Sequence, residues 1–312
     1  MDVSIIIVNY HTEGLIKNAI DSVIEKTGGV TYEIIVVDSA PDDGARNVLG
    51  AIKPGVPYRY LELAENRGFG AANNEGFRYA TGKYLFCLNP DTLLVNNAVK
   101  ILFDFMETHA RCGACGGNLF HADMRPTHSF RRILPGTLWE ISEGMNRLPE
   151  HLLFGRNSKF NHSGRPKKVG YITGADLMLR SEVIKNVGGF APEFFMYFEE
   201  TDLCCRIRKS GYDIFSVPAA EIIHLEGQSM TTEEVNTKKF KYYADSRVEY
   251  YKRNATLKEA AKAYKIYLKN LRKWAKNTDE IGKIAQVHYQ CALNALDRYA
   301  ELKDKIFPES QR

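Results

Sequence analysis

The chain has 312 residues, 44% hydrophobic and 26% charged, with a net charge of +4, a composition and length that fit one large globular domain or one domain with an appendage. No apolar run approaches the roughly 20 residues of a membrane span, and the chain enters a strand pattern directly after Met1, so neither a spanning helix nor a signal peptide is expected. The six cysteines are scattered, two of them adjacent at Cys204 and Cys205, which excludes a disulfide framework and points to a reducing cytoplasm.

Val3 to Val8 (VSIIIV) is a β-branched strand ending at Asn9-Tyr10. Thr12 is placed to cap a helix to about Glu25, with Leu15, Ala19 and Val23 on one face. Glu33 to Val37 is a second strand, ending at Asp38-Ser39, and Tyr58 to Leu63 a third, edge-like one. Gly68 to Ala80 reads as a helix. The apolar run Tyr84 to Leu88 then reads as a strand buried on both faces, stopped by Pro90. Strands alternating with helices imply parallel pairing with right-handed crossovers. Asn9-Tyr10, Asp38-Ser39 and Asn89-Pro90-Asp91 then converge at strand carboxyl ends, where open α/β sheets bind ligands.

No GxGxxG follows the first strand and no GxxxxGK[ST] occurs, which disfavours a dinucleotide fold and a P-loop. Asp91 beside the Asn89 amide suits a metal ion carrying a diphosphate; an Asx-type turn is the plain alternative. In Glu65 to Gly76 (ENRGFGAANNEG), Gly68 and Gly70 permit close backbone approach, and Arg67 offers a planar fork for phosphate or a base edge. Cys112 and Cys115 form one CxxC with no second pair, so a buried structural role is expected there.

Phe194 to Phe198 is strongly aromatic, and Glu199, Glu200 and Asp202 open a short helix that ends at Gly211. Three carboxylates there either complement the helix dipole or supply a general base beneath an aromatic platform. Asp213 to Val217 is a further strand. Ile222-Ile223 then delivers His224, followed by Gly227, and His224 reads as a structural residue or a ligand.

The ordered set VSIIIVNY, EIIVVDS, ENRGFGAANN, LNPDTLL, TGADLMLR, GGFAPEFFMYFEETDLCCR and HLEGQS resembles inverting glycosyltransferase family 2, above all its bacterial rhamnosyltransferase-like members. The resemblance covers roughly Val3 to Arg253. It implies an α/β GT-A fold: a Rossmann-like, mostly parallel central sheet flanked by helices, here with a C-terminal α-helical appendage. Residues 1–230 would form the catalytic domain, with a nucleotide-sugar half to about 110 and an acceptor half to 230; residues 231–312 would be the helical extension. Val8, Asn9, Tyr10, Asp38 or Ser39, Arg67, Asn73, Asn89 and Asp91 would hold a nucleotide-sugar. Asp91 and His224 would ligate Mg²⁺ or Mn²⁺. Asn89 stands where the family has the first acid of its metal motif.

Glu200 stands where the family more often has Asp, and is the expected base, with Glu199 beside it. Gly174, Ala175, Asp176, Arg131 and Arg132 would meet the acceptor. The implied reaction moves a sugar, L-rhamnose from dTDP-rhamnose or another UDP- or dTDP-sugar, to a hydroxyl of a polysaccharide or lipid-linked glycan. The setting would be O-antigen or cell-wall assembly. A nucleotide-sugar-binding scaffold without turnover and a nucleotidyltransferase are the alternatives.

The tail stands apart in charge. From Thr231 to Arg312 there are 18 Lys and Arg against 11 Asp and Glu. Leu257 to Lys276 reads as an amphipathic helix with a narrow basic stripe at Lys258, Lys262, Lys265, Lys269, Arg272 and Lys276. Ile281 to Ile306 continues as a second heptad-like seam. The tail is read as a helical hairpin packed on the catalytic domain, as a peripheral contact with polyprenyl-pyrophosphate-bearing anionic membrane through 257–276, or as a homodimer seam. Nucleic acid is not expected as a partner.

Overall fold

The computed structural model describes residues 1–53, 55–225 and 233–308. Gly227 and the residues of HLEGQS after Leu225 lie outside that set. In chain order β1 (Val3–Asn9) leads to α1 (Glu13–Lys26), β2 (Tyr32–Asp38) to α2 (Asp43–Leu49), and β3 (Tyr58–Glu62) to α3 (Phe69–Tyr79) and β4 (Tyr84–Leu88). Next come β5 (Thr92–Leu94), α4 (Ala98–Thr108), β6 (Cys112–Phe120), β7 (Phe130–Arg131), α5 (Thr137–Gly144) and α6 (Leu148–Phe154). Then follow β8 (Lys167–Lys168), β9 (Tyr171–Ile172), β10 (Asp176–Arg180), α7 (Ser181–Val187), α8 (Glu199–Lys209) and β11 (Asp213–His224). Four helices close the chain: α9 (Glu233–Asn254), α10 (Leu257–Trp274), α11 (Glu280–Ala295) and α12 (Ala300–Ile306).

The main sheet runs β3-β2-β1-β4-β10-β6-β11-β5, with β8 paired to β11. β3, β2, β1 and β4 are parallel, as their alternation with helices requires, and β3 is the edge. β10 enters antiparallel between β4 and β6, and β5 pairs antiparallel with β11, so the sheet is mixed. Asp213 to Val217 and Ile222-Ile223 belong to the single strand β11, whose register shifts between Ser216 and Glu221. Cys112 and Cys115 are buried in β6, and every described cysteine is a free thiol.

Helices cover both faces of the sheet. Ile16, Ile20 and Val23 of α1 and Val99, Leu102 and Met106 of α4 pack one face; Ala72 of α3, Val183 of α7 and Leu203 and Ile207 of α8 pack the other. Burial of such apolar side chains is what drives the layers together, at about 25 cal/mol per Å². Thr12 precedes α1 without capping it: its N–H and hydroxyl both donate to Asn9 Oδ1, at 3.1 and 2.8 Å.

The tail builds a third core with the sheet domain. Ala244, Val248, Tyr251, Tyr264, Leu268 and Leu302 pack with Trp139 of α5, Phe194, Phe198 and Cys205. The second tail seam is broken by a 3₁₀ turn at Leu296–Arg298. An ion pair lies inside this contact. Arg247 Nη1 donates to both carboxylate oxygens of Glu140 at 2.9 Å, and the Tyr251 hydroxyl donates to Glu140 Oε1 at 2.6 Å. The Asn270 amide donates to the Glu140 carbonyl at 2.9 Å. Both members of the pair are buried, so removing one strands the other. The basic stripe of α10 faces outward, and none of its six side chains is ion-paired among the described residues.

Glu140→Ala is therefore expected to cost about 3–5 kcal/mol of stability, by leaving the Arg247 guanidinium buried and unpaired. Urea unfolding followed by circular dichroism measures this. Loss of the tail signal and the sheet signal in one transition is the expected form, because the two share a core.

Candidate active site

β1, β2 and β4 lie side by side, and their carboxyl ends form one cleft. It is lined by Val8, Tyr10, Ser39, Gly68, Asn89 and Asp91, with Asn66, Phe69 and Met196 closing the other side. The Ser39 hydroxyl is buried there without a hydrogen-bond partner among the described residues. Asp38 and Asn9 play a different part. Asn9 Nδ2 donates to Asp38 Oδ1 at 3.0 Å, the Ala40 N–H donates to the same oxygen at 3.0 Å, and the Tyr60 hydroxyl donates to Oδ2 at 2.7 Å. Both residues are fully buried, so they shape the cleft from beneath and leave contact to Ser39 and Tyr10.

Arg67 is exposed, with its head 3.9 Å from Glu65, and does not line the cleft. Asn73 is buried in α3, its amide donating to the Phe69 carbonyl at 3.0 Å, and it does not line the cleft either.

Strand register brings together residues far apart in sequence. β11 pairs with β5 so that His224 stands opposite Thr92, one residue after Asp91. His224 Nε2 lies 3.3 Å from Asp91 Oδ1 and 3.3 Å from Asn89 Nδ2. The Leu225 N–H donates to the Asp91 carbonyl at 2.9 Å, which pins this corner. Among the described residues no group of three or more His, Cys, Asp or Glu side chains is placed to hold a metal ion by itself. A carboxylate and an imidazole with an amide beside them fit a divalent cation that takes its remaining ligands from phosphate oxygens and water.

A second pocket is lined by Arg131, Trp139, Glu143, Arg147, Tyr171, Thr173, Tyr197, Phe198, Glu200 and Tyr243. Glu200 is the carboxylate of α8 that reaches it, and the Thr201 hydroxyl donates to Glu200 Oε1 at 3.1 Å. Burial raises the Glu200 carboxyl above the usual range. Glu199 is more deeply buried, and its Oε2 has no partner among the described residues. Burial, with the charge of Glu200 added, pushes the Glu199 carboxyl well above the usual range. Asp202 faces away. It takes the Arg206 guanidinium at 2.7 Å and the Asn254 amide at 2.7 Å, tying α8 to α9.

Of the five residues expected on the acceptor side, Arg131 lines this pocket and the other four do not. Asp176 and Ala175 are buried instead of lining the pocket; Asp176 Oδ2 accepts the Gly117 N–H at 2.5 Å, and the Ala175 carbonyl accepts the Asn89 N–H at 3.0 Å. Gly174 lies between the two pockets' walls near Phe69, and Thr173 is the residue that faces the second pocket. Arg131 is in strand β7 and buried, its Nη2 donating to Glu143 and Glu150, so it lines the pocket as part of an ion-paired wall. Arg132 is half-buried with its guanidinium 4.8 Å over the Phe154 ring. Sequence reading missed Trp139, Tyr171 and Thr173, and it missed Tyr243, which α9 contributes from the tail.

A family model for glycosyl transferase family 2 matches residues 4–188, more than half of the chain. The chain belongs to that family. A low-salt glycan biosynthesis hexosyltransferase of Haloferax volcanii is 25% identical over 252 residues, 79% of this chain and 73% of that protein. An N-acetylglucosaminyl-diphospho-decaprenol L-rhamnosyltransferase of Mycobacterium tuberculosis is 26% identical over 211 residues, 63% of this chain and 67% of that protein. Among solved structures, S. aureus TarS 1–349 in complex with UDP matches all of this chain and 82% of its own, with a TM-score of 0.57 at 15% identity. A Pyrobaculum calidifontis mannosyltransferase in complex with GDP-Man and Mn²⁺ matches 98% of this chain and 87% of its own, with a TM-score of 0.56 at 14% identity. The fold is GT-A, and the protein is a rhamnosyltransferase-like glycosyltransferase of family 2.

A base works only when ionised. With its carboxyl raised by burial, Glu200 loses its charge on acidification before a solvated carboxyl would. The acid limb of kcat/KM is expected above pH 4.5, the ordinary value for Glu, with rate rising as pH rises through it. A pH–rate profile measures this, and Glu200→Gln is expected to lower kcat by about 10²–10⁴-fold.

Proposed function

We propose that this chain transfers a sugar from a nucleoside diphosphate to a hydroxyl of a lipid-linked glycan, with inversion at the anomeric carbon. L-Rhamnose from dTDP-rhamnose is the donor we favour, because rhamnosyltransferases recur among the relatives. The observation that carries the reading is the pairing of two sites. One cleft is lined by Asp91, which His224 contacts, and the other holds Glu200 together with a Glu143 that is ion-paired to Arg131 and Arg147.

The residues divide the chemistry. Tyr10 and Ser39 receive the nucleoside, and Gly68 lines the same cleft while its lack of a side chain lets the Phe195 carbonyl pack against it. A divalent cation, Mg²⁺ or Mn²⁺, held by Asp91 and His224 would neutralise the diphosphate charge that grows as the sugar leaves. Glu200 takes the proton of the acceptor hydroxyl as its oxygen attacks the anomeric carbon; the bond from that carbon to the diphosphate oxygen breaks on the opposite face. One direct displacement inverts the centre and needs no second nucleophilic carboxylate. Trp139, Tyr171 and Tyr243 give the acceptor pocket flat apolar walls that suit a sugar ring, and Arg147 places a cation beside them.

Thermal-shift measurements with UDP, dTDP, GDP and CMP, each with and without Mn²⁺, test the donor side. A metal-dependent shift with dTDP, lost in Asp91→Ala and reduced in His224→Ala, is expected. Turnover should release a nucleoside diphosphate; release of pyrophosphate, or donor binding with no product, contradicts the reading.

A further inference from the structure

The three most exposed large apolar side chains among the described residues are Leu152 at 78%, Leu138 at 74% and Leu153 at 74%. All three lie on the α5–α6 hairpin, and Ile141, Met145 and Leu148 are exposed on it too. Leu138, Ile141 and Met145 recur at helical spacing, so they share one face of α5. Left-handed backbone at Asn146 and Arg147 makes the sharp turn between the two helices. Exposed apolar clusters of this kind mark contact with another apolar phase.

Charge says which phase. Residues 132–168 contain three carboxylates, and all are satisfied within the protein: Glu140 by Arg247, Glu143 by Arg131 and Arg147, and Glu150 by Arg131. Arg156, Lys159 and Arg165 of the same segment are exposed, while Lys168 is paired with Asp213 at 2.8 Å. The hairpin and the segment after it thus offer leucines and positive charge to the outside, the pairing that binds anionic bilayer surfaces. The α10 stripe has charge alone: its exposed positions include no large apolar side chain. The inner side of α5 meanwhile supplies Trp139 and Glu143 to the acceptor pocket.

We propose that the α5–α6 hairpin seats the protein on an anionic lipid bilayer, its leucines entering the interface and its cations meeting the headgroups. The acceptor pocket then opens at the root of the membrane contact, where a lipid-linked acceptor presents its head. This last step rests on the acceptor reading above; the membrane contact itself does not depend on turnover.

Flotation of the full chain tests the contact, using vesicles of phosphatidylcholine alone and of phosphatidylcholine with phosphatidylglycerol. Flotation only with the anionic vesicles is expected. Leu152→Ser/Leu153→Ser should weaken it by about tenfold or more, since two leucines lose their apolar transfer energy. Arg156→Glu/Lys159→Glu should weaken it at low salt. Both variants alter exposed side chains and should keep the dTDP-dependent thermal shift of the wild type. No flotation of the wild type at low salt overturns the proposal. So does undiminished flotation of the leucine variant, or loss of flotation only on Lys258→Glu/Lys262→Glu/Lys265→Glu. A dimer in light scattering that the leucine variant disperses, without vesicle binding, assigns the hairpin to a second copy of the chain instead. Vesicle binding without sugar transfer to any acceptor leaves the contact standing and removes the functional reading.

Discussion

The backbone at Tyr197 and Phe198 decides where Glu200 points. Both residues are left-handed, with φ of 70° and 65°, immediately before the first turn of α8. Bulky side chains avoid that region, and such strain costs about 1–3 kcal/mol for each residue. Contacts on two sides hold it. The Phe69 N–H donates to the Phe195 carbonyl at 3.2 Å, and Gly68, at φ +92°, lies so close that a Cβ would meet the same oxygen at 1.9 Å. From the tail, the Ser246 hydroxyl donates to the Met196 carbonyl at 2.8 Å, and the Phe198 ring packs against Trp139, Tyr243 and Tyr250. The turn bearing the base is thus clamped between the donor half and the tail.

That clamp ties the tail to the proposed active site. α9 supplies Tyr243 to the acceptor pocket, Asn254 to Asp202 and Arg247 to Glu140. A carboxylate that must accept a proton needs a fixed position and a dry setting, and both come from residues of α9 as well as of α8. The donor side is built more simply. Parallel strands bring Asn9, Asp38 and Asn89 to one edge, and the buried Asp38 network stiffens that edge beside Ser39.

Local pattern made the donor half legible. The runs at Val3, Glu33, Tyr58 and Tyr84 carry their strand signal in β-branched and apolar residues, and the observed strands follow them within a residue or so. β6 escaped because CGACGGNLF is poor in strand formers; its glycines make room for Ile207, Tyr212 and Ala220 packed against it, which is visible only in three dimensions. The site residues divide in the same way. Asp91 and Glu200 stand in local motifs. That Asp38 is a brace depends on Tyr60, a strand away. That Arg131 is a buried wall depends on Glu143 and Glu150, which no local pattern ties to it. Tyr243 carries no motif, and its place in the pocket follows only from tail packing.

The central claim is that Asp91 and His224 mark the donor end of one site and Glu200 its acceptor end. Crystals grown with Mn²⁺ and dTDP, measured at the manganese absorption edge, test it most directly. The account predicts an anomalous peak within coordination distance of Asp91 and His224, with the base against Tyr10 and Ser39 and the diphosphate between the two pockets. A peak away from Asp91, or a nucleotide seated in the pocket of Trp139 and Tyr243, would contradict it.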